Sequence, residues 1–224
     1  MVMEISADER FKSVLEHLAL KFHGRIKKVN DRYILKYNTH INRYQLFDSI
    51  INQIVTTMKA VYLRKRIRIK SDTLIKVLIN YDKKSDTVIA GSLFQLTPKL
   101  LLDSIYDFAL DRLKCRWDEV IQLVNENYIQ LKQTVLFNEL LRFLILNMDC
   151  RIPEAHVMAI DHQAKICDKK LQPLPQSDQD IINALIELAP RQIFIHTIDL
   201  SREVVERIEF LFPNCVCIEY NAVL

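Results

Sequence analysis

Apolar and polar positions alternate most legibly between Glu154 and Leu224. Ala155–Asp161 reads as a strand, and past a short polar turn Lys165–Cys167 reads as its hairpin partner. Ser177, followed by Asp178 and Asp180, predicts a helix start, because the hydroxyl accepts an orphan N–H and the carboxylates favour the positive end of the dipole. Ile181, Ile182, Leu185, Ile186 and Leu188 then recur at helical spacing until Pro190 stops them. Gln192–Ile198 is a near-continuous apolar run, the pattern of a central strand covered on both faces. Ser201 caps a second helix carrying Val204, Val205, Ile208, Leu211 and Phe212, which Pro213-Asn214 ends before a last strand, Cys215–Tyr220. The order ββαβαβ predicts a small mixed sheet, a hairpin at one side and parallel strands joined through two helices, in two or three layers.

Earlier in the chain the pattern is more helical. Phe11, Val14, Leu15, Leu18 and Phe22 mark one amphipathic helix over Glu9–Phe22, with Gly24 as its stop. Arg25–Val29 and Arg32–Tyr37 flank Asn30-Asp31, a pair suited to a two-residue hairpin turn. Ile41–Ile69 reads as one long helix or two, basic at its end. Thr73–Asn80 predicts a short helix and Asp82–Ser85 a polar turn, while Val88–Leu96 has no readable period. Thr97-Pro98 suits the first turn of another helix. From Leu100 to Leu146 the apolar periodicity predicts two or three helices broken near Asn125–Tyr128. The whole is an α+β protein in three regions: a basic N-terminal helix and β-hairpin region over 1–96, a helical middle over 97–151, and a small C-terminal mixed α/β unit over 152–224.

Composition narrows the function classes. Half of the 224 residues are hydrophobic and 26% are charged, as in an ordinary globular protein. There are 2 glycines, Gly24 and Gly91, so neither a Walker loop nor a dinucleotide fingerprint can be built, and no cofactor is expected. The 5 cysteines are odd in number and lack paired CxxC motifs, which reads as reduced thiols rather than a disulfide framework. Cys215 and Cys217, with Cys167 and a histidine, could ligate a metal; small buried hydrophobes are the alternative, and no metal site is expected. The polar, acidic start lacks a signal-peptide pattern and no apolar run reaches a membrane span, so a cytoplasmic protein is expected.

Charge divides the chain. Residues 1–100 hold 19 Lys and Arg against 9 Asp and Glu, and residues 101–224 hold 12 against 19. Arg64, Lys65, Arg66, Arg68 and Lys70 form the densest basic run, and Lys27 and Lys28, with Arg32 and Lys36, make the hairpin basic. Together they could meet nucleic acid, anionic lipid or an acidic protein, against the alternative of a solvated face or pairing within the chain. His196 stands at the carboxyl end of an inferred parallel strand, where open α/β sheets place ligands, with Asp199 after it and Asp161 and His162 at a neighbouring strand end. These groups could form an acid/base pair or bind a metal; alternatively His196 donates to a carbonyl and Asp199 caps a helix. Tyr106, Phe108 and Trp117 are either exposed anchors for a partner or core.

A resemblance enters through Phe108–Leu113, Leu140–Leu144, Ile152–Val157 and Leu188–His196, in which an alanine-proline step leads into a strand ending in isoleucine-histidine. This arrangement resembles the YtxC-like family of sporulation proteins over the second half of the chain. The resemblance implies a spore-forming Firmicutes-type source and a cytosolic role in sporulation, and it implies no catalytic residue or cofactor. A non-catalytic interaction or regulatory protein with a protein partner is therefore the expectation. A nucleic-acid-binding protein using the basic half is the first alternative, and a hydrolase-like enzyme using His196 is the second.

Overall fold

The computed structural model describes residues 3–37, 42–129, 131, 134–161, 163–175 and 180–219. In chain order it begins with β1 (Met3–Ala7), a strand absent from the sequence reading, and a 3-10 turn (Glu9–Phe11) leading into α1 (Lys12–Phe22). His23, at φ 52°, ends α1 in the left-handed conformation, a role the sequence had given to Gly24. Gly24 answers a different need: a Cβ there would meet Leu35 Cδ1 at 2.5 Å and Tyr37 Cε1 at 2.9 Å. The hairpin of β2 (Arg25–Val29) and β3 (Arg32–Tyr37) forms as expected, turning at Asn30 with φ 54°.

α2 (Arg43–Gln53) runs through a π turn (Ile54–Met58) into α3 (Lys59–Arg66), so the basic stretch beyond Arg66 is no longer helical. Next come α4 (Asp72–Asn80), capped by Ser71, and α5 (Lys83–Leu93). α5 replaces the polar turn expected at Asp82–Ser85. β4 (Lys99–Leu101) follows, where a helix was expected from Thr97-Pro98; proline also suits the entry to a sheet-edge strand, and Glu4 N–H donates to Pro98 O at 2.9 Å. A single turn α6 (Leu102–Ser104) and a second π turn (Ile105–Ala109) precede α7 (Asp111–Glu126) and α8 (Thr134–Leu146). The chain closes with β5 (Ile152–Ile160), β6 (Gln163–Cys167), α9 (Ile181–Leu188), β7 (Pro190–His196), α10 (Arg202–Leu211) and β8 (Val216–Glu219).

The protein is α+β, with two mixed four-stranded sheets in two compact units. One unit is Met1–Arg68 with Lys83–Glu126; the other is Ile69–Asp82 with Asn127–Leu224. The segment 97–151 is thus divided between them at Glu126. The first unit's sheet runs β2-β3-β1-β4, with β3 antiparallel to both β1 and β2 and β4 parallel to β1. Period-two alternation sends Ile5, Ala7, Tyr33, Leu35, Tyr37 and Leu100 into a core with Phe11, Val14, Leu15 and Leu18.

The second unit's sheet runs β6-β5-β7-β8, with the hairpin at one edge and three parallel strands. Its Ala155, Val157, Ile166, Ile193 and Ile195 face is fully buried, together with Leu185, Ile186 and Ile208 of the crossover helices. β7 was expected to be covered on both faces; instead Phe194 and His196 on its other face are half-buried and Gln192 is exposed. Both crossovers step the same way across the sheet, so a common hand brings α9 and α10 to one face, and α4 and α8 pack against them. Asp180 caps α9, accepting from Ile182 N–H and Asn183 N–H; the expected cap Ser177 lies outside the described residues. Ser201 caps α10 as expected. Among the described residues no helix is long and apolar enough to cross a membrane.

Candidate functional site

The open face of the first sheet gathers Arg25, Lys27, Arg32 and Lys36 of the hairpin. Register aligns Arg25, Lys36, Glu4 and Lys99 in one rung across β2, β3, β1 and β4, and Lys27, Ile34, Ser6 and Leu101 in the next. At about 4.8 Å between neighbouring strands, the first rung spans about 14 Å from Arg25 to Lys99. Two cations of this face are neutralised within the chain. Arg32 forks onto Asp103 at 2.6 and 3.2 Å and lies over Ser6, and Lys36 Nζ stands 3.3 Å from Glu4 Oε2. Arg25, Lys27 and Lys99 are exposed and make no ion pair among the described residues. Val29 and Leu101 are exposed beside them, and no aromatic ring stands in either rung.

The other basic residues named from sequence are distributed differently. Lys28 points to the opposite face of β2 from Lys27, its Nζ 5.4 Å from the centre of the Tyr33 ring. Arg64, Lys65 and Arg66 occupy the last turn of α3, where cations suit the negative helix end. Arg66 stacks on Tyr62 at 3.7 Å and reaches Asp118 at 3.9 Å. Arg68 is exposed, its backbone N–H held by Asn125 Oδ1, and Lys70 belongs to the other unit. Arg64, Lys65 and Arg66 therefore stand on a helix of the first unit, and Arg25, Lys27, Arg32 and Lys36 on the open side of its sheet.

Behind that sheet the first unit holds a buried polar centre that sequence reading did not find. Lys59 Nζ and Trp117 Nε1 donate to Asp86 Oδ2 at 2.8 and 2.9 Å, and Arg116 Nε is 3.6 Å from Asp86 Oδ1. The Lys59 and Asp86 side chains are 5% and 1% exposed. Lys59 directly follows the π turn, whose wider winding shifts the phase of the helix and turns this cation inward. Trp117 and Tyr106 are buried, as the core reading of the middle expects, while Phe108 is exposed.

In the second unit His196 meets a partner that sequence did not name. Its Nε2 lies 3.0 Å from His156 Nδ1 on the neighbouring strand, and the His156 ring stacks on both His196 and Phe194. The two carboxylates named with it stand elsewhere. Asp161, at φ 53°, is exposed and 3.8 Å from Lys165, and Asp199, at φ 60°, is exposed and makes no hydrogen bond or ion pair among the described residues. His162 lies outside the described residues. Burial holds the Cys167 and Cys215 thiols above their ordinary range, and Cys217 is exposed. Among the described residues no three His, Cys, Asp or Glu side chains are grouped to hold a metal ion. The chain matches no family model, no curated protein and no solved structure.

Proposed function

We propose that the protein is a non-catalytic binding protein of the sporulation pathway, and that the open face of its first sheet takes the phosphate backbone of a nucleic acid. The observation that carries this reading is the set of three exposed cations, Arg25, Lys27 and Lys99, that make no ion pair among the described residues and stand on two neighbouring rungs of one sheet. Cations held on a sheet without internal counterions attract polyanions by releasing condensed counterions from them. The absence of aromatic rings from those rungs favours backbone contact over base stacking, so binding is without sequence preference. The sporulation setting rests on the resemblance to the YtxC-like family.

The test is fluorescence anisotropy with a labelled duplex, comparing the full chain with R25E/K27E/K99E and with R64E/K65E as a control. The triple variant should lose binding while the control keeps most of it. Equal loss in both variants, or retained binding in the triple variant, would remove the sheet face from the reading. Deletion of the gene in the source organism should lower the yield of heat-resistant spores, and an unchanged yield would remove the sporulation setting.

A further inference from the structure

α8 is apolar on two sides. Leu141, Leu144 and Ile145 are buried in the second unit, where the helix packs against α4 and α10. On the opposite side Leu136, Glu139, Phe143 and Leu146 form an exposed stripe, with Phe143 55% exposed. A helix that is apolar all round is ordinarily enclosed, so a second surface belongs over this stripe.

The charges on the helix say which surface. Among the described residues Glu139, which is exposed, makes no hydrogen bond or ion pair, and Arg142, three residues on, lies over the Phe210 ring at 5.3 Å and makes no ion pair. Glu139 on the stripe and Arg142 at its edge, beside Phe210, lie on either side of the midpoint, an arrangement complementary to itself when a second helix runs antiparallel. We propose that the occupant is a second copy of this chain, docked through α8 about a two-fold axis near residue 141. Leu136 then meets the partner's Leu146, Glu139 meets the partner's Arg142, and Phe143 sits at the centre. Each pair occurs twice, as an isologous interface requires. This interface is independent of the sheet face proposed above, and it brings two such faces into one particle, which raises avidity for a polyanion without a new contact.

Sedimentation velocity of the full chain, from roughly 1 to 100 µM, tests the dimer. The expected mass is twice the 26.4 kDa of the chain. E139R or R142E alone places like charges opposite one another at both symmetric positions and weakens association roughly tenfold or more. E139R/R142E exchanges the signs and restores it. F143E, which buries two charges at the interface centre, leaves a monomer, and circular dichroism checks that each variant is folded. A wild-type chain of monomer mass throughout would overturn the proposal, as would a dimer indifferent to E139R and F143E, or a double variant as weak as the single ones.

Discussion

Replacing Asp86 by alanine strikes the most concentrated electrostatic arrangement in the first unit. Asp86 is 1% exposed and its Oδ2 accepts from both Lys59 and Trp117, while Arg116 stands 3.6 Å from its other oxygen. Removing one member of a buried ion pair costs about 3–5 kcal/mol, because the remaining charge stays desolvated without its counterion. The Trp117 N–H also loses its acceptor, a buried unsatisfied donor of about 1–3 kcal/mol. The two losses share one carboxylate and do not add fully, so about 4 kcal/mol is expected, a large share of the ordinary 5–15 kcal/mol of a domain. Lys59→Met in the D86A background removes the buried cation and should recover about 2–3 kcal/mol. Urea unfolding followed by fluorescence reads the first unit directly, since Trp117 is the single tryptophan and lies within the cluster. A D86A loss below about 1 kcal/mol, or strict additivity of the two substitutions, would refute the assignment of a coupled buried pair.

Three further outcomes follow from local geometry. Ala189 ends α9 at φ 44°, so Ala189→Gly should raise the urea midpoint by relieving about 1 kcal/mol of left-handed strain. Burial, with Asp118 accepting from its hydroxyl, pushes Tyr62 up from 10.0 to about 12; the native chain therefore holds a proton that the unfolded chain loses, and the resulting stability is present below pH 10 and lost as pH rises toward 12. Y62F should show a shallower loss of stability over that window, and an identical slope would contradict the shift. Cys115, Cys150 and Cys217 are exposed and should react promptly with Ellman's reagent at mildly alkaline pH, half-buried Cys215 should react more slowly, and buried Cys167 should wait until urea is added; uniform reactivity would contradict the burial.

Much of the fold is legible where one side of an element is apolar. The hairpin at Asn30, α10 with its Ser201 cap, and the order of the last strands all follow from period and turn chemistry. α5 is not legible, because Asp86 and Ala90 are its buried residues and the first is charged, so its inward side carries no apolar signal. β1 is five residues long with Glu4 among them, and its pairing with β3 and β4 is decided by tertiary contact. The separation of Lys27 from Lys28 was legible, since neighbours on a strand face opposite ways. The His156–His196 pair was not, because it depends on the register between β5 and β7, in which His156 lies opposite Phe194. That Arg25, Lys27 and Lys99 make no ion pair among the described residues likewise needs coordinates, for only the three-dimensional arrangement assigns Glu4 to Lys36 and Asp103 to Arg32.

The salt dependence of duplex binding tests the central claim most directly. With Arg25, Lys27 and Lys99 as the contacting cations, log K should fall against log salt concentration with a slope of about −3, and Lys27→Ala should reduce that slope by about one. A slope near zero, or one that Lys27→Ala leaves unchanged, would contradict a phosphate-binding role for the open face of the first sheet.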